Sequence, residues 1–81
     1  MKTYRLIRTH IDFDGIEVTE YKNFVLLPSG QVKFFTSKVR ESPIYTEEKS
    51  DGLTVSIEAA RILWQWESHK TGFLRAPDKE D

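Results

Sequence analysis

The segment Leu27-Pro28-Ser29-Gly30-Gln31 constrains the fold more than any other part of this sequence. Proline presets the backbone angle of the first turn position, and glycine readily takes the positive φ that a short hairpin loop requires. The residues on both sides are rich in β-branched and aromatic types and lack helical spacing. The sequence therefore predicts two neighbouring antiparallel strands, one from Ile16 to Leu27 and one from Gln31 to about Lys38.

Two further features extend this hairpin into a sheet. Asp14-Gly15 is a pair typical of tight turns, and it predicts a first strand over residues 3 to 11 that lies beside the strand after the turn. The polar stretch Glu20 to Asn23 is expected to be a bulge or a break in that second strand. Residues 39 to 52 are polar and loop-like, and the sequence allows a short strand around Ile44-Tyr45 or at Leu53 to Val55.

The last third of the chain carries the pattern of one amphipathic helix. Ser56 is a favourable N-cap, and Glu58 puts a negative charge in the first turn, where the helix dipole favours it. Gly72 suits the position after the last turn, so the helix is expected to run from about Ser56 to Lys70. On a helical wheel the apolar side chains form one broad arc: Ala59, Ala60, Ile62, Leu63, Trp64 and Trp66.

Together these signals predict an α+β fold, a small antiparallel β-meander of three to five strands with one C-terminal amphipathic helix packed on one sheet face. We expect a single domain over residues 1–76 and a frayed tail over 77–81, because the tail has nothing to bury. The chain has 81 residues and no cysteine, which excludes disulfides and thiolate metal sites as sources of stability. Self-association is the remaining way to extend so small a core.

Composition and motifs narrow the classes of function. The net charge is −1, so no field of the whole molecule favours nucleic acid or acidic lipid. The sequence lacks both common glycine-rich phosphate loops, and we expect no nucleotide cofactor. The N-terminal segment lacks the apolar stretch of a signal peptide, and no span approaches the roughly 18 apolar residues of a membrane helix. We therefore expect a cytoplasmic protein without a membrane partner.

His10, Asp12 and Asp14 form the sharpest pattern that could belong to an enzyme or a metal protein. Alternating positions on an extended strand project from one face, where imidazole and carboxylate groups could converge on a metal ion. The same residues also precede a hairpin, where aspartate and glycine are expected for turn geometry alone. We favour the turn, and expect no metal, no cofactor and no catalytic residue.

A basic-aromatic run is the basis of an alternative function. Lys33, Phe35, Lys38 and Arg40 could form a sheet face that stacks bases and neutralises phosphates. Lysines on an exposed strand are also a common protection against aggregation. A nucleic-acid-binding module is therefore the alternative hypothesis.

The two tryptophans of the helix lead to the main functional hypothesis. Trp64 and Trp66 diverge by about 200° on a helix, so one sheet surface does not easily bury both at their centres. They either cover the two shoulders of one core, or one of them belongs to an interface. With Leu63 and Phe73 they form our candidate partner interface. The sequence thus predicts a small non-enzymatic interaction or accessory module that forms a homodimer or binds another protein.

Overall fold

The structure is a computed structural model of the chain and describes residues 1–41, 43–70 and 72–80. These residues form one antiparallel sheet and one helix, which confirms a small α+β fold. In chain order the elements are β1 (Lys2–Ile11), β2 (Glu17–Leu26), β3 (Val32–Arg40), β4 (Thr46–Lys49), β5 (Leu53–Val55), α1 (Ile57–Ser68) and β6 (Leu74–Glu80).

The sheet has the strand order β4-β3-β2-β1-β6, and β5 lies beside β3 on the same edge as β4. The strands β4 and β5 together form one interrupted lane. Gly52 lies in the interruption with a φ of 89°, and a Cβ at this position would come within 3.2 Å of the carbonyl oxygen of Phe34. Glycine is therefore required where the lane bends close to β3.

Both predicted turns are confirmed. The N–H of Gly30 donates to the carbonyl of Leu27 at 2.9 Å, and the N–H of Gly15 donates to the carbonyl of Asp12 at 3.0 Å. The strand between these turns is continuous, so the expected break at Glu20 to Asn23 is wrong. Regular pairing with β1 on one side and β3 on the other satisfies the backbone of this polar stretch.

The helix packs on one face of the sheet and forms the core there. Ser56 caps it, accepting from the N–H of Ala59 at 3.2 Å. Trp64 meets Phe24 edge-on, with ring centroids 5.2 Å apart. The buried members of the core are Leu6, Phe24, Val32, Ala60 and Phe73.

α1 ends at Ser68, two residues before the predicted end at Lys70. Thr71 lies outside the described residues.

The sheet has more strands than predicted, six rather than three to five, and it is more than a meander. The added strand is β6, which follows the helix and pairs antiparallel with β1. Residues 77 to 80 therefore lie in a strand, which corrects the expected frayed tail there; Asp81 lies outside the described residues. Without β6, one edge of β1 would have unpaired backbone N–H and C=O groups, and β6 pairs with these groups. The composition of the C-terminal segment does not reveal this pairing.

Two details fit β6 to the edge of the sheet. The pairing register shifts between Thr3 and Arg5, opposite Pro77, which has no N–H to donate to β1. The guanidinium of Arg5 donates instead to the carbonyl of Pro77, at 3.3 Å from Nε and 3.2 Å from Nη2. Across the described ranges, no helix is long and apolar enough to span a membrane.

The position of the core gives a stability prediction with a matched control. Phe24 is 3% exposed between the sheet and the helix, whereas Phe13 is 95% exposed in the first turn. Phe24→Ala should lower the free energy of unfolding by about 3–5 kcal/mol, because it leaves a cavity at the centre of the core. Phe13→Ala should change it by less than about 0.5 kcal/mol. Urea denaturation followed by tryptophan fluorescence measures both. Equal effects would contradict the described core.

Candidate functional site

The sheet has one face under the helix and one face that no described helix or strand covers. The register places alternate residues of β1, β2 and β3 on this second surface, which we call the open face. Its residues at the centre of the sheet are Arg5 and Ile7 of β1, Tyr21, Asn23 and Val25 of β2, and Lys33, Phe35, Ser37 and Val39 of β3. All helix contacts with the core lie on the opposite side.

The middle of the open face is apolar and aromatic. Tyr21, Val25, Phe35 and Val39 are all half-buried, screened only by neighbours in the sheet. The guanidinium of Arg5 lies 4.8 Å from the centroid of the Tyr21 ring, within the range of a cation–π contact. These side chains give the face large, ordered contact groups.

Buried polar groups hold the strands of this face in register. Asn23 is buried although it lies on the open face, and its Nδ2 donates to Ser37 Oγ at 3.1 Å. The same nitrogen lies 3.4 Å from the carbonyl oxygen of Phe35. Because these groups bond to each other, the floor of the face has little tendency to rearrange.

Charge divides the open face into two ends. We call the end with Arg5, Lys33 and Lys79 the basic end, where a depression of about 430 Å³ also includes Phe35. The other is the acidic end, where Glu17, Glu41 and Glu47 line a depression of about 350 Å³ together with Tyr45. Tyr21, Arg5 and Glu47 border both depressions, so the boundary between the two ends runs through these three residues.

The acidic end also affects a tyrosine. Tyr45 Oη donates to Glu47 Oε2 at 3.3 Å. The negative charge of Glu47, together with partial desolvation and this hydrogen bond, raises the pKa of Tyr45 above its usual value. A tyrosine phenol is protonated at neutral pH in any case, and the raised pKa extends its role as a hydrogen-bond donor to more alkaline solution. Lys49 Nζ lies 3.2 Å from Glu47 Oε1 and joins the acidic end to the middle of the face.

The structure separates the residues predicted to bind nucleic acid. Lys33 and Phe35 lie on the open face, whereas Lys38 and Arg40 lie on the face that carries the helix. Arg40 pairs there with Asp12, at 2.7 Å between Nη2 and Oδ2. Successive side chains of a strand point to opposite faces of the sheet. The basic-aromatic run contains both odd and even positions, so its members are divided between the two faces.

The structure also separates the residues predicted to form a partner interface. Phe73 is only 6% exposed, and Leu63 and Trp64 pack against the core. Trp66, by contrast, is 70% exposed on the outer side of the helix, near Ile62, which is 68% exposed. Of the predicted set, Trp66 alone points into solvent, with Ile62 one helical turn away.

The third predicted cluster is the possible metal site of His10, Asp12 and Asp14, and in the structure Asp12 stabilises the turn instead. Asp12 Oδ1 accepts from the N–H groups of Asp14 at 2.9 Å and Ile16 at 3.1 Å. His10 Nδ1 lies 3.4 Å from Glu20 Oε1 on the neighbouring strand. In the part of the chain that the structure describes, no three His, Cys, Asp or Glu residues are placed to share a metal ion.

Several residues of the open face were not in any predicted set, among them Arg5, Tyr21, Glu17 and Lys79. Their positions follow from the pairing of strands that are distant in sequence. For Arg5 there was a sequence signal, because odd-numbered residues of β1 and of β3 lie on the same face. Comparisons with known protein families, curated proteins and solved structures found no significant match to this chain. Function is therefore inferred from the geometry of the open face.

The turn at Asp12 gives a prediction on pH dependence. Desolvation by itself would raise the pKa of Asp12, but the N–H groups of Ile16 and Asp14 and the charge of Arg40 lower it below the usual value. A lowered pKa means that the ionised carboxylate stabilises the fold above about pH 4, and that this contribution is lost as the pH falls through the lowered pKa.

Asp12→Asn should therefore destabilise the protein at pH 6, and the difference from the parent should shrink steadily between about pH 4 and pH 2. Urea denaturation at a series of pH values measures this difference. Asp14→Asn is the control, because it makes the same substitution at an exposed side chain of the same turn. A difference for Asp12→Asn that stays constant with pH would contradict the assigned role.

Proposed function

We propose that this chain is a small non-enzymatic interaction module that binds a protein partner through the open face of its sheet. One observation supports this above the others: Tyr21, Val25, Phe35 and Val39 form an apolar centre on a face that no described helix or strand covers. Aromatic and apolar side chains on an uncovered sheet face of a small domain suit a contact with another macromolecule.

The composition of the open face suits a protein partner. Tyrosine, phenylalanine and arginine are enriched where protein interfaces bind most strongly, and Arg5 and Tyr21 already hold each other in place by their cation–π contact. Charges at both ends of the face can fix the orientation of a partner around the apolar centre. Because the face is built on paired strands, its contact groups are largely ordered before binding.

The non-enzymatic part of the proposal is supported by the roles that the polar candidates already have. Asp12 is bonded to the turn and to Arg40, and His10 lies beside Glu20. Ionisable groups held this way suit structure better than proton transfer. A cytoplasmic location and a homodimeric state, both expected from the sequence, remain part of the proposal.

Nucleic-acid binding is a second candidate, favoured by the basic end alone. Lys33 and Arg5 lie near Phe35 and Tyr21, which are the residue types that neutralise phosphates and stack bases. The acidic end opposes it, because a strand that extended along the face would meet Glu17 and Glu41. The available basic surface is therefore short.

The proposed function predicts capture of proteins that depends on the open face. A tagged chain expressed in cells together with an untagged copy should retain protein partners, the untagged copy included. Phe35→Glu should abolish this retention, because it places a charge at the apolar centre. Quantitative mass spectrometry of the retained proteins measures the loss.

Trp66→Glu is the matched control, since it introduces the same charge at an exposed aromatic residue on the outer side of the helix. It should retain the same partners. Circular dichroism must show that both variants fold, and Tyr21→Ser serves as a second substitution on the open face. Loss of partners with Trp66→Glu alone would move the binding surface to the helix, and no dependence on either surface would overturn the proposal.

The second candidate predicts binding of single-stranded oligonucleotides that weakens with salt. Lys33→Gln should then reduce affinity and the dependence on salt concentration, because one phosphate contact is lost. Lys38→Gln is the control on the opposite face, and should bind like the parent. Fluorescence anisotropy at two salt concentrations measures both. Absence of binding at low salt, or equal losses in both variants, would exclude the open face as a nucleic-acid site.

A further inference from the structure

We infer that the open face binds a second copy of this chain, turned so that the basic end of one copy lies against the acidic end of the other. The inference rests on the proposed function, since it names the partner of the same surface. It follows from the order of charges along the strands, from the lack of ionic partners for the outermost charges in the described part of the chain, and from the size of the face.

The charges of the open face change sign along the strand direction. Register pairs divide the face into five rows that run across the strands. The first row contains Lys79 and Lys33, and the second contains Arg5 and Phe35. The third row, in the middle, contains Ile7, Tyr21 and Lys49. The fourth row contains Val39 and Glu47, and the fifth contains Glu17, with Glu41 just beyond the end of β3. Among the described residues of these rows, the cationic ones all precede the anionic ones along this axis.

The outermost charges have no ionic partner among the described residues. None of the ion pairs formed among residues 1–41, 43–70 and 72–80 includes Lys33, Lys79, Glu17 or Glu41. Most other charges near the core are paired, for example Arg8 with Glu20 and Arg40 with Asp12. Opposite charges left without partners at the two ends of one surface are complementary to a reversed copy of that surface.

A twofold axis in the plane of the interface and perpendicular to the strands produces this reversal. It places the first row of one copy over the fifth row of the other, the second over the fourth, and the third over itself. Each contact then occurs twice, as an isologous dimer requires. Sheets packed face to face keep their strands within about 30° of each other, which leaves Lys33 within reach of both Glu41 and Glu17 of the second copy.

The same axis brings the apolar residues together. Phe35 in the second row comes to lie over Val39 in the fourth, while Ile7 and Tyr21 meet their own copies near the axis. The resulting contact has an apolar and aromatic centre, with charged residues at its rim. This is the usual distribution in protein interfaces.

Charge selects this arrangement over the alternatives. An axis parallel to the strands would instead keep each row over the same row of the second copy, so that the basic ends of the two copies would lie together and the acidic ends would lie together. A polyanion would match only the basic end. The net charge of −1 adds little long-range repulsion between copies.

The open face is also large enough. The molecule extends over 40 × 25 × 21 Å, and the five rows span about 27 Å along the strands. A standard interface buries about 800 Å² on each partner. Two such chains would form a four-layer assembly with a helix on each outer side, in which the apolar centre is removed from water.

Complementary charge reversals test the arrangement. Lys33→Glu with Lys79→Glu changes the basic end, and Glu17→Lys with Glu41→Lys changes the acidic end. Each double variant alone brings like charges together, and its dimer dissociation constant should rise at least about tenfold. In an equimolar mixture of the two variants opposite charges meet again, and heterodimers should form within about threefold of the parent affinity. Analytical ultracentrifugation measures all three samples.

General attraction between oppositely charged variants needs a control. Glu48→Lys with Glu58→Lys makes the same change in charge away from the open face, on the sheet face that carries the helix and on the helix itself. Its open face is unchanged, so it should form dimers with itself, but mixed with the basic-end variant it should not restore heterodimers to the parent affinity. Restoration by this control as well would overturn the inferred arrangement.

Single cysteines provide a second measurement that tolerates small losses of stability, and the chain has no cysteine of its own. Val25→Cys and Glu17→Cys lie at opposite ends of β2 on the open face. A short bismaleimide that spans the roughly 10 Å between facing sheets should link the two variants in a mixture, and neither variant to itself. Linkage of each variant to itself would show the opposite orientation.

Two outcomes separate this inference from the proposed function. A parent protein that stays monomeric at high micromolar concentration, while Phe35→Glu still abolishes capture of other proteins, would overturn the inference and the homodimeric state, and leave in place the proposal that the open face binds a protein partner. A parent that forms dimers unaffected by Phe35→Glu and by every charge reversal on the open face would overturn both.

Discussion

The contact between Trp64 and Phe24 determines which side of this sheet becomes the core. Their rings meet edge-on, and Phe34, the register partner of Phe24 on β3, packs beside Phe24 with ring centroids 4.9 Å apart. One helix of 12 residues is about 18 Å long, so it covers one face of a six-stranded sheet and no more. The open face is thus a direct result of having a single helix, and its apolar residues are those that the helix does not reach.

The route of the chain strengthens this asymmetry. β5 lies at one edge of the sheet and β6 at the other, so the helix that joins them must cross β3, β2 and β1. The crossing ends at Phe73, which turns back into the core beneath Arg8, with the guanidinium 4.5 Å from the ring centroid. Glu67 is buried nearby between Lys22 and Lys70, and it anchors the last turn of the helix to the sheet. The strands before and after the helix, β5 and β6, therefore both keep the helix on the same face of the sheet.

Local sequence signals predicted the elements that depend on local chemistry. The turns at Gly15 and Gly30, the Ser56 cap and the alternation of Phe34 with Phe35 depend on a few neighbouring residues, and each is present in the structure. β6 was not predicted because its residues are polar and its stability comes from an edge provided by a strand some 70 residues earlier, as in the pair Arg5 and Ala76. The helix arc was also too broad to show which tryptophan would be exposed.

The candidate site was harder to predict than the fold, because it is defined by register. Composition gives a net charge of −1 and conceals a face whose two ends have opposite signs. Lys33 and Glu17 belong to one surface only because β2 pairs with β3 at Val25 and Lys33, and with β1 at Ile11 and Glu17. A slip of one residue would move Phe24 out of the core and Tyr21 beneath the helix. The contacts that bury Phe24 therefore also keep the charges of the open face in order, and folding and recognition depend on the same strand register.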